Sequence, residues 1–394
     1  MTLETIDVGD MIELAYGKSL SADNRRSGSV PVYGSNGVVG NHDQAAIDGP
    51  GIVVGRKGSV GALAFSKGPF WPIDTTYFVV NKGSHDWRFL YHFLRSLGLT
   101  GLNSHSAVPG LNREDVYAIS VKLPSRAEEP IVGRVLDLIE ESSGREQLTI
   151  TNLQSLKHAT MRELFTRGLR GEAQKDSELG PIPSSWEARA LIEVCNFQSG
   201  GTPRKSNALH WQGPIPWVSG KDLKKPVLHD VADRISEEGL AASSKLAPAD
   251  AVLILVRGMG LAKDLPISRL AVPMAFNQDI KALTSKCHIS GSYLRSAIYN
   301  RKEVLLGRIV PSAHGTMTLN LDDLETFVIP CPTDPSEVQE IAEVIDAIDA
   351  KIDLHKRKKV VLEELSRALL HKLMTGEIRV ADLDFSALDG EVTG

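Results

Sequence analysis

Two turns carry basic side chains beside glycine, at places where a protein backbone can contact phosphate. Arg56 and Lys57 lie between Gly55 and Gly58, and Arg257 is followed by another glycine; each turn comes directly after an apolar run. Glycine lets a backbone approach another molecule closely, and Arg and Lys neutralise phosphate charge. We therefore predict that both turns contact nucleic acid; the alternative for each residue is a solvated surface charge.

Polar side chains in other loops extend this set, since bases are recognised by fixed donor and acceptor patterns and phosphates by Lys, Arg and hydroxyl groups. The net charge of −5 argues weakly against nucleic acid, but residues 201–229 hold five basic side chains and one acidic side chain. We expect Trp186, Trp211 and Trp217 to anchor cores or turns rather than to stack on bases. The predicted DNA-contacting residues are Tyr33, Ser35, Asn36, Arg56, Lys57, Ser59 and His105, and later Arg204, Lys205, Ser219, Lys221, Lys224, Arg257 and His314.

The sequence lacks the motifs by which enzymes act on nucleic acid. An amino-methyltransferase holds its flipped base with Asn/Asp-Pro-Pro-aromatic, and a P-loop needs G-x-x-x-x-G-K-[ST]; neither occurs. The histidines are scattered, and Asp222, Asp322 and Asp323 lack the clustered partners of a Mg²⁺ nuclease site. We predict no catalytic residue, no metal site and no cofactor in this chain.

Composition indicates a multidomain globular protein. The chain has 394 residues, of which 42% are hydrophobic and 24% charged, so two or more domains are expected. Cys195, Cys287 and Cys331 match no disulfide or metal spacing, and we find neither a signal peptide pattern nor an apolar run of about 18 residues. We expect a cytoplasmic protein that does not cross a membrane.

A faint internal repeat extends over most of the chain. Residues 107–124 resemble residues 315–332, and the segments LFTRGLR and LMTGEIR place Arg170 opposite Arg379, 209 positions later. Upstream, a looser match aligns Arg56 with Arg257 and Asp74 with Asp279.

Each half of the repeat is predicted to be an α+β globule followed by a long helix. A segment rich in Gly, Pro, Ser and charge, residues 167–187, separates the halves as a linker. The predicted strands include 51–54, 76–81, 251–256 and 327–329, and the predicted short helices include 87–96 and 293–299.

The segments that close the two halves have the pattern of coiled-coil helices. Residues 336–374 contain no Pro or Gly, and apolar residues recur there every three or four positions, with a polar gap at His355 and Lys359. The first copy is weaker because Ser142, Ser143 and Gly144 interrupt it. The predicted seam, also the predicted docking surface for partners, comprises Val135, Leu138, Leu153 and Leu156, then Ile341, Ile345, Ile348, Ile352, Leu362 and Leu369.

Two such helices would bury their apolar stripes on each other. A helix of about 40 residues is roughly 60 Å long, more than the roughly 34 Å of one DNA turn, so an antiparallel pair could separate two globules on a duplex. The basic run 355–359 is either a solvated helix face or a support for DNA phosphates.

Several segments, taken together, resemble one known family. Residues 176–187 and 200–223, the latter reading GGTPRKSNALHWQGPIPWVSGKDL, resemble the start of the second target-recognition domain of type I restriction–modification specificity (S) subunits. Residues 32–45 resemble the early segment of another subtype of that domain. The two LN…P…helix…T-G-x-I-R segments resemble the family's repeated spacer regions, so the resemblance covers nearly the whole chain. It departs from the family where Glu128-Glu129 and Glu337-Val338 replace the common Glu-Gln pair.

The resemblance implies a non-catalytic, DNA-binding subunit. Each target-recognition domain would read one half of a bipartite site in double-stranded DNA. The spacer helices would set the gap between halves and dock two methyltransferase (M) subunits, which bind S-adenosylmethionine and methylate adenine. Two nuclease–translocase (R) subunits would join in the restriction enzyme. The alternatives are a coiled-coil scaffold that binds only protein, and an enzyme with hidden motifs; the duplicated basic turns favour DNA reading.

The implied domains follow the repeat. They are target-recognition domain 1 (1–124), central spacer helix (125–168), linker (169–187), target-recognition domain 2 (188–332), C-terminal spacer helix (333–380) and acidic tail (381–394).

Overall fold

The computed structural model describes residues 5–102, 110–312, 315–375, 377–380 and 383. They belong to two compact units. The first unit comprises Met1–Leu148 and Lys356–Gly394, and the second comprises Thr149–His355. Each unit therefore combines one globular half of the chain with parts of both long helices.

The first unit is built from short strands and three short helices. Its strands are β1 (Thr5–Asp7), β2 (Ile12–Tyr16), β3 (Val30–Gly34), β4 (Gly37–His42), β5 (Gly51–Gly55), β6 (Leu63–Ser66), β7 (Trp71–Pro72), β8 (Thr76–Asn81) and β9 (Ser120–Lys122). Its helices are α1 (Val8–Met11), α2 (Trp87–Ser96), α3 (Arg113–Tyr117) and the first part of α4 (Glu129–Arg167), which continues into the second unit.

The core of the first unit lies between an antiparallel sheet and α2. The sheet has the order β2-β8-β5-β6, and β3 pairs with β4 and β7 beside it. The carboxylate of Asp86 caps α2 by accepting hydrogen bonds from the backbone N–H groups of Arg88 and Phe89. Phe89 and Phe93 on α2 are buried against the sheet. The predicted strand 76–81 and helix 87–96 are both confirmed.

The second unit repeats this plan with a longer chain. Its strands are β10 (Gln174–Lys175), β11 (Ile182–Pro183), β12 (Glu187–Ala190), β13 (Cys195–Ser199), β14 (Ile215–Val218), β15 (Val227–Leu228), β16 (Arg234–Ile235), β17 (Lys245–Ala247), β18 (Val252–Leu255), β19 (Ile267–Leu270), β20 (Met274–Phe276), β21 (Ile280–Ser285), β22 (Val310–Pro311), β23 (Met317–Thr318) and β24 (Val328–Cys331). Its helices are α5 (Leu191–Val194), α6 (Glu237–Ser243), α7 (Gly291–Asn300), α8 (Lys302–Leu306), α9 (Leu321–Glu325) and the first half of α10 (Pro335–Thr375), which continues into the first unit.

The main sheet of the second unit has the order β13-β21-β18-β19-β15, and a second sheet has the order β16-β14-β20-β17. The strands β13, β21, β18 and β19 thus correspond in order to β2, β8, β5 and β6. Tyr293 on α7 is fully buried, and its hydroxyl donates to Pro330 O at 2.9 Å. Trp186 is also fully buried, as predicted for a core anchor. The predicted α+β repeat is confirmed.

The two long helices run antiparallel in each unit. In the first unit, Lys358 on α10 pairs with Glu146 on α4 at 2.5 Å. In the second unit, Lys157 on α4 pairs with Asp349 on α10 at 2.6 Å. Positions rise along one helix as they fall along the other, so the predicted antiparallel coiled coil is confirmed. Neither these helices nor any other in the described ranges is long and apolar enough to cross a membrane.

The seam between the helices follows the predicted spacing on α10 but not throughout α4. Every predicted seam position of α10 is buried or half-buried, including the polar gap at His355 and Lys359. On α4, Val135, Leu138 and Leu153 are also covered, whereas the Leu156 side chain is 53% exposed. Lys157 occupies the buried position beside it. Leu156 therefore lies off the seam, and α4 is continuous through 142–144, where the sequence pattern is interrupted.

Acidic residues near the start of each long helix contact the segment that follows the other helix. Glu337 accepts hydrogen bonds from Leu169 N at 2.6 Å and from the Trp186 indole N–H at 3.0 Å. Its repeat counterpart, Glu128, has a lowered pKa because it accepts hydrogen bonds from Ser125 and, with a smaller effect, from the Val380 backbone. Both helix starts are therefore held by hydrogen bonds, although the glutamine that is common in the family is absent from both.

Two glycines within α4 are expected to respond in opposite ways to alanine. A Cβ on Gly133 would lie 2.7 Å from Phe89 N, whereas a Cβ on Gly144 would meet nothing within 4 Å. Alanine stabilises an open helical site by about 0.5–1 kcal/mol. Gly144→Ala should therefore raise the free energy of unfolding by about that amount, and Gly133→Ala should lower it because α2 must move away. Urea unfolding of both full-length variants measures this; equal effects would contradict the close helix approach.

Candidate nucleic-acid interface

The basic turns occupy the same register in the two units. Lys57 follows β5 and its backbone N–H donates to Thr75 O at 3.1 Å; Arg257 follows β18 and its backbone N–H donates to Asp279 O at 3.3 Å. The residue before each donates to the same carbonyl. Lys57 and Arg257 are therefore structural counterparts, and both are exposed. Thr75 rather than Asp74 is the counterpart of Asp279, so that predicted alignment is wrong by one residue.

Arg56 corresponds to Val256, not to Arg257. Arg56 O accepts a hydrogen bond from Leu111 N at 3.0 Å, and Val256 O accepts one from Leu319 N at 2.9 Å. The sequence alignment of Arg56 with Arg257 is thus wrong by one residue, because it matched like side chains rather than backbone positions.

The Arg56 side chain is held within its own unit. Its guanidinium lies 5.2 Å from the Tyr16 ring centroid and 5.9 Å from that of Tyr77, and it donates to Asp74 O at 2.6 Å. Burial, followed by contact with Tyr16, raises the pKa of Tyr77, so the Tyr77 ring presents a neutral face to the cation. Arg56 is half-buried and stiffens the turn that presents Lys57.

A hairpin tip lies beside the first basic turn. Ser35 and Asn36 form the two-residue connection between β3 and β4. A Cβ on Gly58 would lie 3.2 Å from Ser35 Oγ, and one on Gly55 would lie 2.9 Å from Ser35 O. The structure therefore brings Ser35 and the exposed Asn36 next to the turn with Lys57 and Ser59. Tight backbone contact also explains why glycine is needed in this turn.

Tyr33 is not available to contact DNA. Its side chain is 7% exposed, packs edge-to-face on Phe70 with centroids 5.8 Å apart, and donates from its hydroxyl to Phe65 O at 3.4 Å. It belongs to the core, so its prediction as a DNA-contacting residue is wrong. The prediction failed because Tyr33 packs inward at the buried end of β3, next to the loop that does reach the surface.

In the second unit, the loop between β13 and β14 carries Arg204 and Lys205, both of which are exposed. The indole N–H of Trp211 donates to Arg204 O at 3.3 Å, and that of Trp217 donates to Gly201 O at 3.1 Å. The two indoles pack edge-to-face with centroids 5.0 Å apart. The tryptophans thus position the loop, as predicted, and leave the basic side chains outward.

Ser219, Lys221 and Lys224 lie on the next loop of the second unit. The Ser219 hydroxyl donates to Asp222 at 2.9 Å, so it is already engaged within the turn. Lys221 pairs with Asp233 at 2.7 Å, and this bond raises the pKa of the exposed lysine. Lys221 occupies the register of Asn36, since β14 and β20 pair as β3 and β7 do. Lys224 is exposed; His105 and His314 lie outside the described residues.

Among the described residues, one group has ligand atoms close enough together to hold a metal ion, formed by His92, Asp137 and Glu140. Arg88 pairs with Asp137, and Arg95 pairs with Glu140 at 2.6 Å. Burial tends to raise the pKa of Asp137, but bonds from His92 and Arg88 outweigh it and hold the pKa low. The carboxylates are already neutralised, so this group fits an ion-pair network between α2 and α4 better than a cation.

The cysteines offer no thiolate ligand at neutral pH in the core. Cys195 and Cys331 are buried, and burial raises the pKa of each thiol to about 12. Buried thiols in apolar surroundings stay protonated and are inert.

The long helices carry exposed apolar side chains outside the seam. In the first unit these are Ile131, Leu148, Val360, Val361 and Leu365, and in the second unit Leu156, Val344 and Leu354. Val361 and Leu365 lie four residues apart, on one face of α10. Apart from Leu156, the predicted seam residues are buried or half-buried, so a partner would contact the outward residues instead. Sequence reasoning placed Leu156 in the seam and missed the others, which fall between seam positions.

Comparison with known proteins agrees with this geometry. The family described as "Type I restriction modification DNA specificity domain" matches residues 2–157 and 183–364. A specificity subunit of the Escherichia coli type I restriction enzymes EcoR124I and EcoR124II is 34% identical over 172 residues. The matched residues cover 43% of this chain and 43% of that relative, so less than half of the relative's length is matched. The Methanocaldococcus jannaschii MjaIX specificity subunit is 25% identical over 353 residues, covering 84% of this chain and 78% of that protein.

Solved structures show the same fold. A type I restriction–modification S subunit from M. genitalium has a TM-score of 0.67 at 16% identity and covers 95% of this chain and 96% of its own. A chain from a study of type I R-M complex assembly has a TM-score of 0.54 at 17% identity, covering 97% of this chain and all of its own.

Proposed function

The chain belongs to the family of type I restriction modification DNA specificity domains, and on this premise we propose that it recognises a bipartite sequence in double-stranded DNA, one half with each unit. The observation that carries the proposal is the duplicated basic turn. Lys57 and Arg257 occupy one register position at the same end of corresponding sheets, and each is exposed. Loop residues on a rigid sheet are suited to recognition because the scaffold fixes their positions.

Together, the loops of the two units carry the two kinds of contact that sequence recognition needs. Lys57, Arg204 and Arg257 can neutralise phosphates and set the register on the duplex. Asn36 can present a donor and an acceptor to a base edge. The neighbouring backbones are anchored by hydrogen bonds within each unit, so these side chains project from defined positions.

The same proposal assigns the paired helices to partner docking. Their outward apolar side chains suit protein contact better than water. Each unit carries such residues on its share of the two helices, in keeping with two M subunits, one for each half of the repeat. S-adenosylmethionine and the transfer of its methyl group to adenine belong to those M subunits, and this chain supplies specificity without catalysis. R subunits would join the same assembly for restriction.

A scaffold that binds only protein is the second candidate, and the exposed apolar residues on α4 and α10 favour it. A function in protein binding alone does not explain basic residues that recur in register at the ends of two corresponding sheets. DNA binding by the full assembly therefore separates the two candidates.

Single substitutions at the basic turns are expected to weaken DNA binding without disturbing assembly. Lys57→Ala or Arg257→Ala should each lower affinity about tenfold, because a charge-assisted hydrogen bond contributes about 1.5 kcal/mol. Each should also reduce the salt dependence by about one phosphate contact. Fluorescence anisotropy of the complex with its M subunit on duplex DNA, at several salt concentrations, measures both effects.

The matched controls are exposed lysines at the opposite ends of the same sheets. Lys67 follows β6 at the end away from the 56–62 turn, and Lys286 follows β21 at the end away from Asp279. Their alanine variants should bind as the unsubstituted protein does. Loss of affinity in the controls, or normal affinity at matched salt in Lys57→Ala and Arg257→Ala, would remove these turns from the interface.

A further inference from the structure

An exposed apolar side chain stands directly beside Arg257 at the edge of the second unit. Met259 is 66% exposed and begins the short 3₁₀ turn Met259–Ala262. A single exposed apolar residue is ordinary on protein surfaces. Its significance depends on how it is held and on what occupies the same position in the other unit.

The backbone on both sides of Met259 is anchored. Gly258 N donates to Met317 O at 2.9 Å, and Leu261 N donates to Gly258 O at 3.2 Å. The Leu261 side chain is buried at 2% exposure, which fixes the far side of the turn in the core. Gly258 has φ of +145°, a conformation that suits glycine. Met259 therefore projects from a rigid base, at a position set by the sheet.

Ser59 and Met259 are each the second residue after the paired positions Lys57 and Arg257, in loops of different length. Lys57-Gly58-Ser59 follows β5, and Arg257-Gly258-Met259 follows β18. The first position is basic in both units, as a shared phosphate contact requires. The third position carries a hydroxyl in one unit and an unbranched apolar side chain in the other. Two units that recognise different half-sites need such a difference in the loops beside the shared basic position.

We propose that Met259 is a specificity-determining residue that makes apolar contact with the 5-methyl group of a thymine in the half-site recognised by the second unit. This inference rests on the proposed function. A thioether side chain forms no useful hydrogen bond to a base edge, and the thymine methyl is the apolar group that base pairs expose in the major groove. Methionine is flexible and polarisable, so it can cover a methyl group while Arg257 contacts a phosphate of the DNA backbone.

The test removes the methyl group from the DNA and the side chain from the protein. The full chain in complex with its M subunit is titrated on DNA duplexes that contain the sequence the complex methylates. In these duplexes, each thymine of the half-site recognised by the second unit is replaced in turn by uracil. One replacement should weaken binding about fourfold, the value for loss of about 0.8 kcal/mol from burial of one methyl-sized group. Met259→Ala should weaken binding to the thymine duplex by a similar factor and should no longer distinguish thymine from uracil there.

Two further variants separate a specific contact from a general defect. Met259→Leu keeps an apolar side chain and should retain the discrimination. Val272→Ala removes another exposed apolar residue, at the turn between β19 and β20 away from the 256–266 loop, and should also retain it. Equal discrimination by Met259→Ala and the unsubstituted complex at every thymine would overturn the inference and leave the proposed function intact. A complex that binds no defined sequence would instead refute the proposed function, and this inference with it.

Discussion

Replacing residues 1–110 with the matching segment of a relative should change one half of the methylated DNA sequence and leave the other half unchanged. The segment contains β2–β8, the hairpin tip with Asn36 and the turn with Lys57, which is the whole described edge of the first unit. The edge of the second unit lies entirely beyond it. The gap between the half-sites should also stay constant, because α4 and α10 are untouched.

The junction of this exchange falls beside Leu111, whose backbone contacts the exchanged segment. Leu111 N donates to Arg56 O, and Leu111 O accepts from the Tyr77 hydroxyl at 3.3 Å. Mapping of methyladenine in cells that carry the chimera gives the result directly. The reciprocal exchange of the second unit is the control and should alter the other half. A change in both halves from either exchange would defeat the assignment of one half-site to each unit.

The largest effect on stability is expected at Asp349. Lys157 Nζ lies 2.6 Å from both Asp349 oxygens, and Arg295 lies 3.5 Å from the same carboxylate. All three side chains are nearly buried, and burial lowers the pKa of Lys157 and of Arg295. Asp349→Ala leaves two buried cations without this carboxylate, which typically costs about 3–5 kcal/mol. Chemical unfolding of the full-length variant should show a loss of that order.

Asp230 provides a matched control in the same unit. It pairs with Arg234 at 2.7 Å, but the Asp230 side chain is 61% exposed. Exposed pairs contribute about 1 kcal/mol or less, so Asp230→Ala should change the free energy of unfolding by no more than that. Similar losses for the two variants would indicate that water reaches Lys157 and that the seam is open there.

Local patterns predicted the elements whose signals are local. Strand 76–81 lies in a run rich in β-branched and aromatic residues, helix 87–96 begins after the acidic cap Asp86, and α10 follows from a heptad pattern without Gly or Pro. The register of α4 could not be predicted in the same way. Lys157 is buried in place of Leu156 because Asp349 neutralises it from 192 residues away.

In the candidate site too, local sequence predicted some features, whereas contacts between distant residues decided others. Lys57 and Arg257 were predicted from glycine-flanked turns, and the structure places both at corresponding sheet edges. The pairing of Arg56 with Arg257 was wrong because the register depends on which backbone carbonyl accepts the hydrogen bond from each backbone N–H, and the sequence does not show this. Tyr33 was wrong because the contact that buries it, with Phe70, is distant in sequence.

Genome-wide mapping of methyladenine, in cells that carry the cognate M subunit with and without this chain, shows directly whether this protein selects the DNA sequence. We expect methylation at one split sequence that depends on the chain and disappears without it. Methylation that is unchanged in its absence, or a stable complex with M that methylates no chain-dependent sequence, would contradict the claim that this protein directs the enzyme to DNA.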